Sequence, residues 1–526
     1  MLDILILNAN VISGTGEPSF EADIGIKDKK ITLISKDTAV ESVQIIQADG
    51  LYLAPGFIDP HMHSDLTLFG NQRAESSIHQ GVTTEIIGNC GMSAAPLSEE
   101  SLGEIEFLTG GLKIDFRWRG MGDYLEQLRK SGMAVNVVPL VGHSNVRAAV
   151  MGLGNNTPTP DLQKQMEFLL AEAMEQGGRG MSTGLFYPPG YYAKTEEVIG
   201  LAKVVARYGG IYASHIRNES DEVLSAAEEA IEIGLSAELP VQYSHVKISG
   251  HLYWDKINEL MKILDSDKAK DVNLGCDQYP YHASSTTLSS ILPYWAQVGG
   301  GKTVAELVSD TDGRKRLRKD WDENQDQCSR SGVKDWSGIQ IAECQSRPEV
   351  IGMSIEEIAS QDNLDPFDAA MDLIALDDAQ VVVVYFDQNE EIVQRLMQHT
   401  RVVIGSDSLG AAPYGILGQS GAHPRTYGTF PRVLSRYVRE EKVLSLEEAI
   451  KKMTSQTAQQ FSLEGRGVIR EGAWADLVIF DANQVKDQAT FSKPHQFPLG
   501  IQYVIVNGDI VITEGVHTGR LPGIVL

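Results

Sequence analysis

The sequence predicts an α/β protein: a (β/α)8, TIM-like barrel with a small β-sandwich domain formed from both chain termini. Three observations carry this expectation. Through the middle of the chain, near-continuous apolar runs alternate with amphipathic stretches, the pattern of a parallel sheet covered by helices. Four of those runs start at Met181, Ile211, Val241 and Val272, steps of 30, 30 and 31 residues, about one strand–helix unit each. Both ends carry period-two strands punctuated by glycine.

Taken in order, residues 1–54 hold ILILNANVIS, ADIGIKD and KITLISK, short strands of a small sheet. The barrel is placed at 55–460, opening with GFIDPHMH, TTEIIGNC and AVNVVPLVGH. A helix follows over Asp161–Glu175, with Leu162, Met166, Leu169, Leu170 and Ala173 at helical spacing. Thr159-Pro160-Asp161 starts it and Gly177-Gly178 stops it. GMSTGLF, IYASHI, VQYSHV, VNLGCDQY and the late RVVIGSD bring the strands to eight, the number that closes such a barrel. VVVVYFD, Val381 to Asp387, is a ninth candidate, so one run must lie outside the ring or be misassigned. Residues around 282–380 are too many for a loop and are rich in charge at KDWDENQDQ, and are assigned as an insertion over the barrel mouth. Residues 461–526 return to strands in GVIREGAWADLVIFD and IQYVIVNGDIVITEG, completing the discontinuous sheet domain.

The bulk composition narrows the function classes. A chain of 526 residues with 42% apolar and 22% charged side chains buries a large core, and no run approaches the roughly 18–20 apolar residues of a membrane helix. The net charge of −26 repels nucleic acid and anionic lipid, so the expected partner is a small molecule, with the oligomeric state left open. MLDILILNANVISGTGEP has no basic segment before its apolar run, which makes the cytoplasm the default location. Four cysteines, Cys90, Cys276, Cys328 and Cys344, are too few for a disulfide framework. Cys276 is assigned to the core, Cys328 and Cys344 to the insertion, and His79, His399 and His517 to the surface.

His61 and His63 sit two apart, so on a strand they would project to the same side at the C-terminal end of the barrel, where such folds keep their chemistry. In isolation an H-x-H pair is more often two ordinary histidines. His215, His245, Cys90 and Asp407 change that balance, because each closes an expected strand and converging strands would bring all six together. Six ligand-type groups at one rim are costly without a cation, and imidazole with thiolate suits zinc.

These residues, with GNCGMSAAP, STGLFYPPG, SHIRNE, SHVKISG, DQYPYHASST and GSDS followed by HPRTYGTFPRV, resemble the amidohydrolase superfamily, and within it the D-aminoacylases (N-acyl-D-amino-acid deacylases), from about Pro55 to Val433. The resemblance implies a tight zinc site at Cys90, His215 and His245, and a second, weaker metal site in which His61 and His63 share Cys90 and Asp407. Many members bridge two metals with a carboxylated lysine; GMSTGLFYPP has no lysine, which agrees with the cysteine variant. The resemblance also implies that Lys247, Tyr279, Ser285 and Arg425 bind substrate.

The expected activity is zinc-dependent hydrolysis of N-acyl-D-amino acids to a carboxylate and a D-amino acid. Asp407 is the candidate proton carrier, since a carboxylate beside a cation stays ionised yet accepts a proton during attack. Lys247 and Arg425 are candidate clamps for the α-carboxylate. The alternatives are a cyclic-amide (dihydroorotase- or hydantoinase-like) or dipeptide-like amide hydrolase on the same scaffold, and a non-catalytic scaffold protein, which would be expected to have lost ligands that are present here.

Overall fold

Short parallel strands, buried on both faces, form the centre of the molecule. Val82–Ile87 and Gly180–Gly184 have every residue buried, which explains why such strands read as continuous apolar or small-residue runs. The computed structural model describes residues 1–36, 38–323, 335–419 and 422–526. Within it Phe57–Asp59 pairs with Val82–Ile87, and that strand with Asn136–Pro139, all parallel. The third strand continues through Val141–Gly142 onto Gly180–Gly184, followed by Ile211–His215, Val241–Tyr243, Gly275–Gln278 and Val402–Ile404. The ring closes where Asp407 N donates to His61 O at 2.9 Å and His63 N to Ser408 O at 2.8 Å. The result is the (β/α)8 barrel, made of the eight runs named from sequence.

The helices between strands follow from local chemistry. Pro160–Glu175 begins at Thr159, whose Oγ1 accepts from Leu162 N at 3.3 Å, and Pro160 takes the first turn, where its missing N–H is not needed. Met166, Leu170, Ala173 and Met174 form its buried stripe.

The ninth run lies outside the ring. Val382–Tyr385 is the central strand of a three-stranded antiparallel sheet, with Ser284–Thr287 on one side and Ile339–Glu343 on the other. Val383 and Tyr385 point into a separate core with Leu288, Ile341, Ile355 and Phe367. The insertion thus has its own hydrophobic centre and extends beyond the expected limit of residue 380. Cys344 is buried in that core and Cys276 in the barrel's, whereas Cys328 lies outside the described residues. Two assignments were wrong: His79 and His399 are buried, His79 stacked on Phe497 at 3.8 Å and bonded to Glu75, His399 bonded to Asp265. A polar residue paired within the fold leaves no trace in sequence periodicity.

The two chain ends share one sheet. Tyr52–Pro55 pairs antiparallel with Leu477–Phe480, joining the N-terminal strands to Ile501–Val506 and Asp509–Thr513 in a nine-stranded sheet. Ile4, Ile6, Ile24, Leu53, Leu477 and Ile479 pack its interior. A buried ion pair, Arg466 with Asp476, ties this sheet to the barrel: Asn507 N donates to Asp476 Oδ1 at 2.7 Å and Asn507 Nδ2 to Asn136 Oδ1 on the third barrel strand at 2.7 Å. Arg466→Ala leaves the Asp476 carboxylate buried without its cation, so denaturant unfolding should show about 3–5 kcal/mol of lost stability. A loss below about 1 kcal/mol would mean that the pair behaves as an exposed one.

Candidate metal centre

The six ligand-type residues meet at the C-terminal mouth of the barrel. Only His215 lies within a strand, as the last residue of Ile211–His215. The others follow strand ends: His61 and His63 come after Asp59, Cys90 after Ile87, His245 after Tyr243 and Asp407 after Ile404. The expectation that each closes a strand is therefore corrected. The ladders stop earlier, and the ligands sit on the first loop residues, where the backbone can leave extended geometry. Cys90, His245 and Asp407 have positive φ of 52°, 38° and 52°, a conformation that side chains with a Cβ seldom adopt and that marks strain held in place by surrounding packing.

Around Cys90 the packing that holds it is visible. A Cβ on Gly184 would lie 2.2 Å from Cys90 O, and one on Gly91, whose φ is +76°, would lie 2.6 Å from Gly184 N. Glycine at both positions lets the Cys90 loop lie against the fourth strand. Ser182 of that strand clasps the loop, accepting from Gly91 N at 3.0 Å and donating to Gly88 O at 2.5 Å. The strand that lacks a lysine carries instead the serine that docks the cysteine.

The donor atoms form two groups that share Cys90. Within His61, His63, Cys90 and Asp407, and within Cys90, His215 and His245, one donor atom of each residue lies within 4.8 Å of those of the others. His61 Nε2 is 3.2 Å from Cys90 Sγ and 3.4 Å from Asp407 Oδ1. His63 Nε2 is 3.2 Å from Asp407 Oδ1, and Cys90 Sγ is 3.4 Å from His245 Nε2. Both ring nitrogens of His215 and Nδ1 of His63 are buried without a hydrogen-bond partner among the described residues.

Electrostatics point the same way. Burial alone would push the Cys90 thiol up, but positive charge on His61 and His245 holds it well below its ordinary value. Burial would likewise raise Asp407, yet Arg425 and His61 hold it well below the usual carboxylate range. Burial opposes charge on His61 too, and the Cys90 thiolate with Asp277 raises it well above its usual value. The cluster thus requires positive charge at its centre. A divalent cation meets that need with the imidazoles neutral and their lone pairs inward, so the donor set fits a metal.

A further ring of polar residues orients these ligands. Asp277 Oδ1 is 3.1 Å from His61 Nδ1 and accepts from His245 N at 2.8 Å, while Gln242 Nε2 donates to its other oxygen at 2.7 Å. Donation from His61 Nδ1 leaves Nε2 free to ligate. Glu219 Oε1 lies 3.0 Å from His245 Nδ1 and accepts from Lys247 Nζ at 2.5 Å. Sequence reasoning gave neither carboxylate a role. The only available signal was their place inside the DQYPYHASST and SHIRNE motifs.

Lys247, Tyr279, Ser285 and Arg425 line one cavity of about 270 Å³ with His63, Cys90, His215, His245 and Asp407. Arg425 Nη1 is 2.9 Å from Asp407 Oδ2, and its guanidinium lies 4.6 Å over the buried ring of Tyr279. Among the described residues, buried Arg425 Nε has no hydrogen-bond partner, and Nη1 meets Asp407 as an ion pair without hydrogen-bond geometry. Lys247, by contrast, is committed to Glu219 and to His245 O at 3.1 Å. Ser285 lies on the insertion strand Ser284–Thr287. His143, on the third strand's exit, bonds Glu197 at 3.2 Å, a structural role.

Residues 44–256 and 361–512 match the profile of the Amidohydrolase family. The chain belongs to that family. This amidohydrolase is 35% identical to a D-aminoacylase of Alcaligenes xylosoxydans xylosoxydans, with 100% of this chain and 97% of that protein aligned. An N-acyl-D-aspartate deacylase (36%, 100% and 95% covered) and an N-acyl-D-glutamate deacylase (35%, 100% and 96% covered) of the same organism are as similar. Among solved structures, a D-aminoacylase superimposes with a TM-score of 0.85 at 34% identity over 100% of both chains. N-acyl-D-glutamate deacylase from Bordetella bronchiseptica, complexed with zinc and a phosphonate inhibitor that mimics the reaction's tetrahedral intermediate, gives 0.84 at 33% over 100% and 99%. A D-hydantoinase, at 14% identity and TM-score 0.55 over 100% and 98%, shares the fold alone.

Proposed function

We infer that this amidohydrolase is a zinc-dependent hydrolase that cleaves the amide bond of N-acyl-D-amino acids to a carboxylate and a D-amino acid. The observation that carries the reading is the shared cysteine: Cys90 belongs to both donor groups, one of which includes Asp407, itself paired with Arg425. Cys90, His215 and His245 would hold the tight zinc, and His61, His63, Cys90 and Asp407 a second, weaker one. The reading is supported by the full-length likeness to the three deacylases, from which the preference for the D-configuration is taken. In the same reading residues 55–460 are the catalytic unit, and 1–54 with 461–526 its sheet domain.

Zinc at this site would supply Lewis acidity, the property that makes water acidic near neutral pH. The chain's own residues do the rest. Asp407 Oδ1 takes the proton released as water adds to the acyl carbon, then gives it to the nitrogen as the C–N bond breaks. Arg425, 2.9 Å from Asp407 Oδ2, keeps the carboxylate ionised before attack. The unfilled Nε of Arg425 offers a charge-assisted donor to the substrate's α-carboxylate. Tyr279 supports that guanidinium from below, and Ser285 offers a hydroxyl across the cavity. Lys247 holds Glu219 against His245, so it acts on the metal ligand.

The partner is a small molecule, and no helix among the described residues is long and apolar enough to cross a membrane. We place the protein in the cytoplasm, where a thiol ligand such as Cys90 is kept reduced. Metal analysis with a chiral substrate panel tests the whole. About one tightly held zinc per chain is expected, with turnover of N-acetyl-D-amino acids and little of their L-forms. Turnover of hydantoin or dihydroorotate in preference to both would overturn the reading.

A further inference from the structure

Overall identity does not separate this chain's aspartate- and glutamate-deacylase relatives from the D-aminoacylase. The charges facing this chain's own cavity bear on which substrate it takes. Every N-acyl-D-amino acid brings one α-carboxylate, and an aspartate or glutamate substrate brings a second. Among the described residues, the only lysine or arginine side chains lining the cavity are Lys247 and Arg425. Lys247 is already neutralised by Glu219 at 2.5 Å. Arg425 also faces a carboxylate, Asp407 Oδ2 at 2.9 Å, but its Nε has no hydrogen-bond partner among the described residues and can answer the α-carboxylate. His423 also lines the cavity, but burial, with Arg425 beside it, holds it well below its usual value, and its Nε2 donates to Ala283 O at 3.0 Å.

The other candidate cations point away. Arg217 makes a two-pronged bond to Glu229, at 2.9 and 2.8 Å, and donates to Tyr191 O at 2.8 Å, and Lys194 is exposed outside the cavity. Meanwhile the wall built by the insertion carries surplus carboxylates. Glu343, half-buried on Ile339–Glu343, and Asp378 at the rim both face the cavity. Asp387, just past Val382–Tyr385, is buried there with Oδ1 lacking a hydrogen-bond partner among the described residues. A substrate carboxylate placed against this wall meets like charge and no cation, an arrangement that rejects a ligand as effectively as a clash.

We propose that the site takes N-acyl-D-amino acids whose side chain carries no negative charge and rejects N-acyl-D-aspartate and N-acyl-D-glutamate, with Glu343 as the specificity-determining residue of the wall. This rests on the deacylase reading above and refines it. The test is kcat/KM of the zinc-loaded enzyme for N-acetyl-D-methionine and N-acetyl-D-glutamate, with both L-forms as controls. The wild type should favour the methionine substrate by about 100-fold or more. Glu343→Lys should narrow that ratio by about 10-fold or more, and the isosteric Glu343→Gln, which keeps the side chain's volume, by less. Equal or greater activity on the glutamate substrate, or a ratio unmoved in both variants, overturns the proposal and leaves the deacylase reading standing. Failure to cleave either D-substrate removes that reading and this proposal with it.

Discussion

Asp407→Asn should keep its zinc and lose roughly 10²–10⁴-fold in kcat, the contribution of a positioned acid–base group. Zinc retention follows from the grouping of donors: Cys90, His215 and His245 form a set without Asp407. Structural disturbance should be small, because Asn matches Asp in volume and tolerates the left-handed backbone recorded at Asp407, φ 52°. What the amide loses is basicity, so no group at that position can accept a proton from water or return it to nitrogen. The His63 and Arg425 contacts at 3.2 and 2.9 Å would persist in altered form, leaving substrate binding largely in place. Zinc content and kcat on N-acetyl-D-methionine check the two halves separately. A zinc-replete variant with near-normal kcat would assign the proton to another residue.

Cys90→Ala should cost more, because one substitution removes a donor from both groups. Losing an outer partner of a ligand typically weakens metal binding 10–100-fold, and loss of the shared ligand itself should exceed about 100-fold. Activity at stoichiometric zinc should fall to background. Thermal unfolding gives an independent readout, since a ligand that binds only the folded state raises its stability by mass action. Wild-type protein stripped of metal should gain in Tm on adding zinc; the alanine variant at the same zinc concentration should not. Equal gains in both would show that the thiolate is not a principal ligand.

The barrel was legible because each of its strands is a local signal: a short apolar run, ended by turn residues and spaced by one helix. The same signal misleads at Val382–Tyr385, an equally apolar strand that pairs antiparallel in the insertion. Periodicity reports burial, and both cores bury it. The candidate ligands were legible because His and Cys beside strand ends are chemically conspicuous. Asp277 and Glu219 were not, since an acidic residue in a motif carries no mark of the histidine it orients. Lys247 is a related case: its charge suggested a substrate clamp, and nothing in the sequence marked Glu219, 28 residues earlier, as its partner at 2.5 Å.

By itself the sequence determined the eight-stranded barrel, the two-ended sheet and the residue types gathered at one rim, since all of these follow from local pattern and side-chain chemistry. Tertiary structure alone decided which candidate ligands gather around Cys90, which carboxylates contact the histidines, and which carboxylate each of Lys247 and Arg425 faces. Those outcomes depend on distances of 3–4 Å between residues hundreds of positions apart, and Coulomb and hydrogen-bond energies are set by such distances, never by order along the chain.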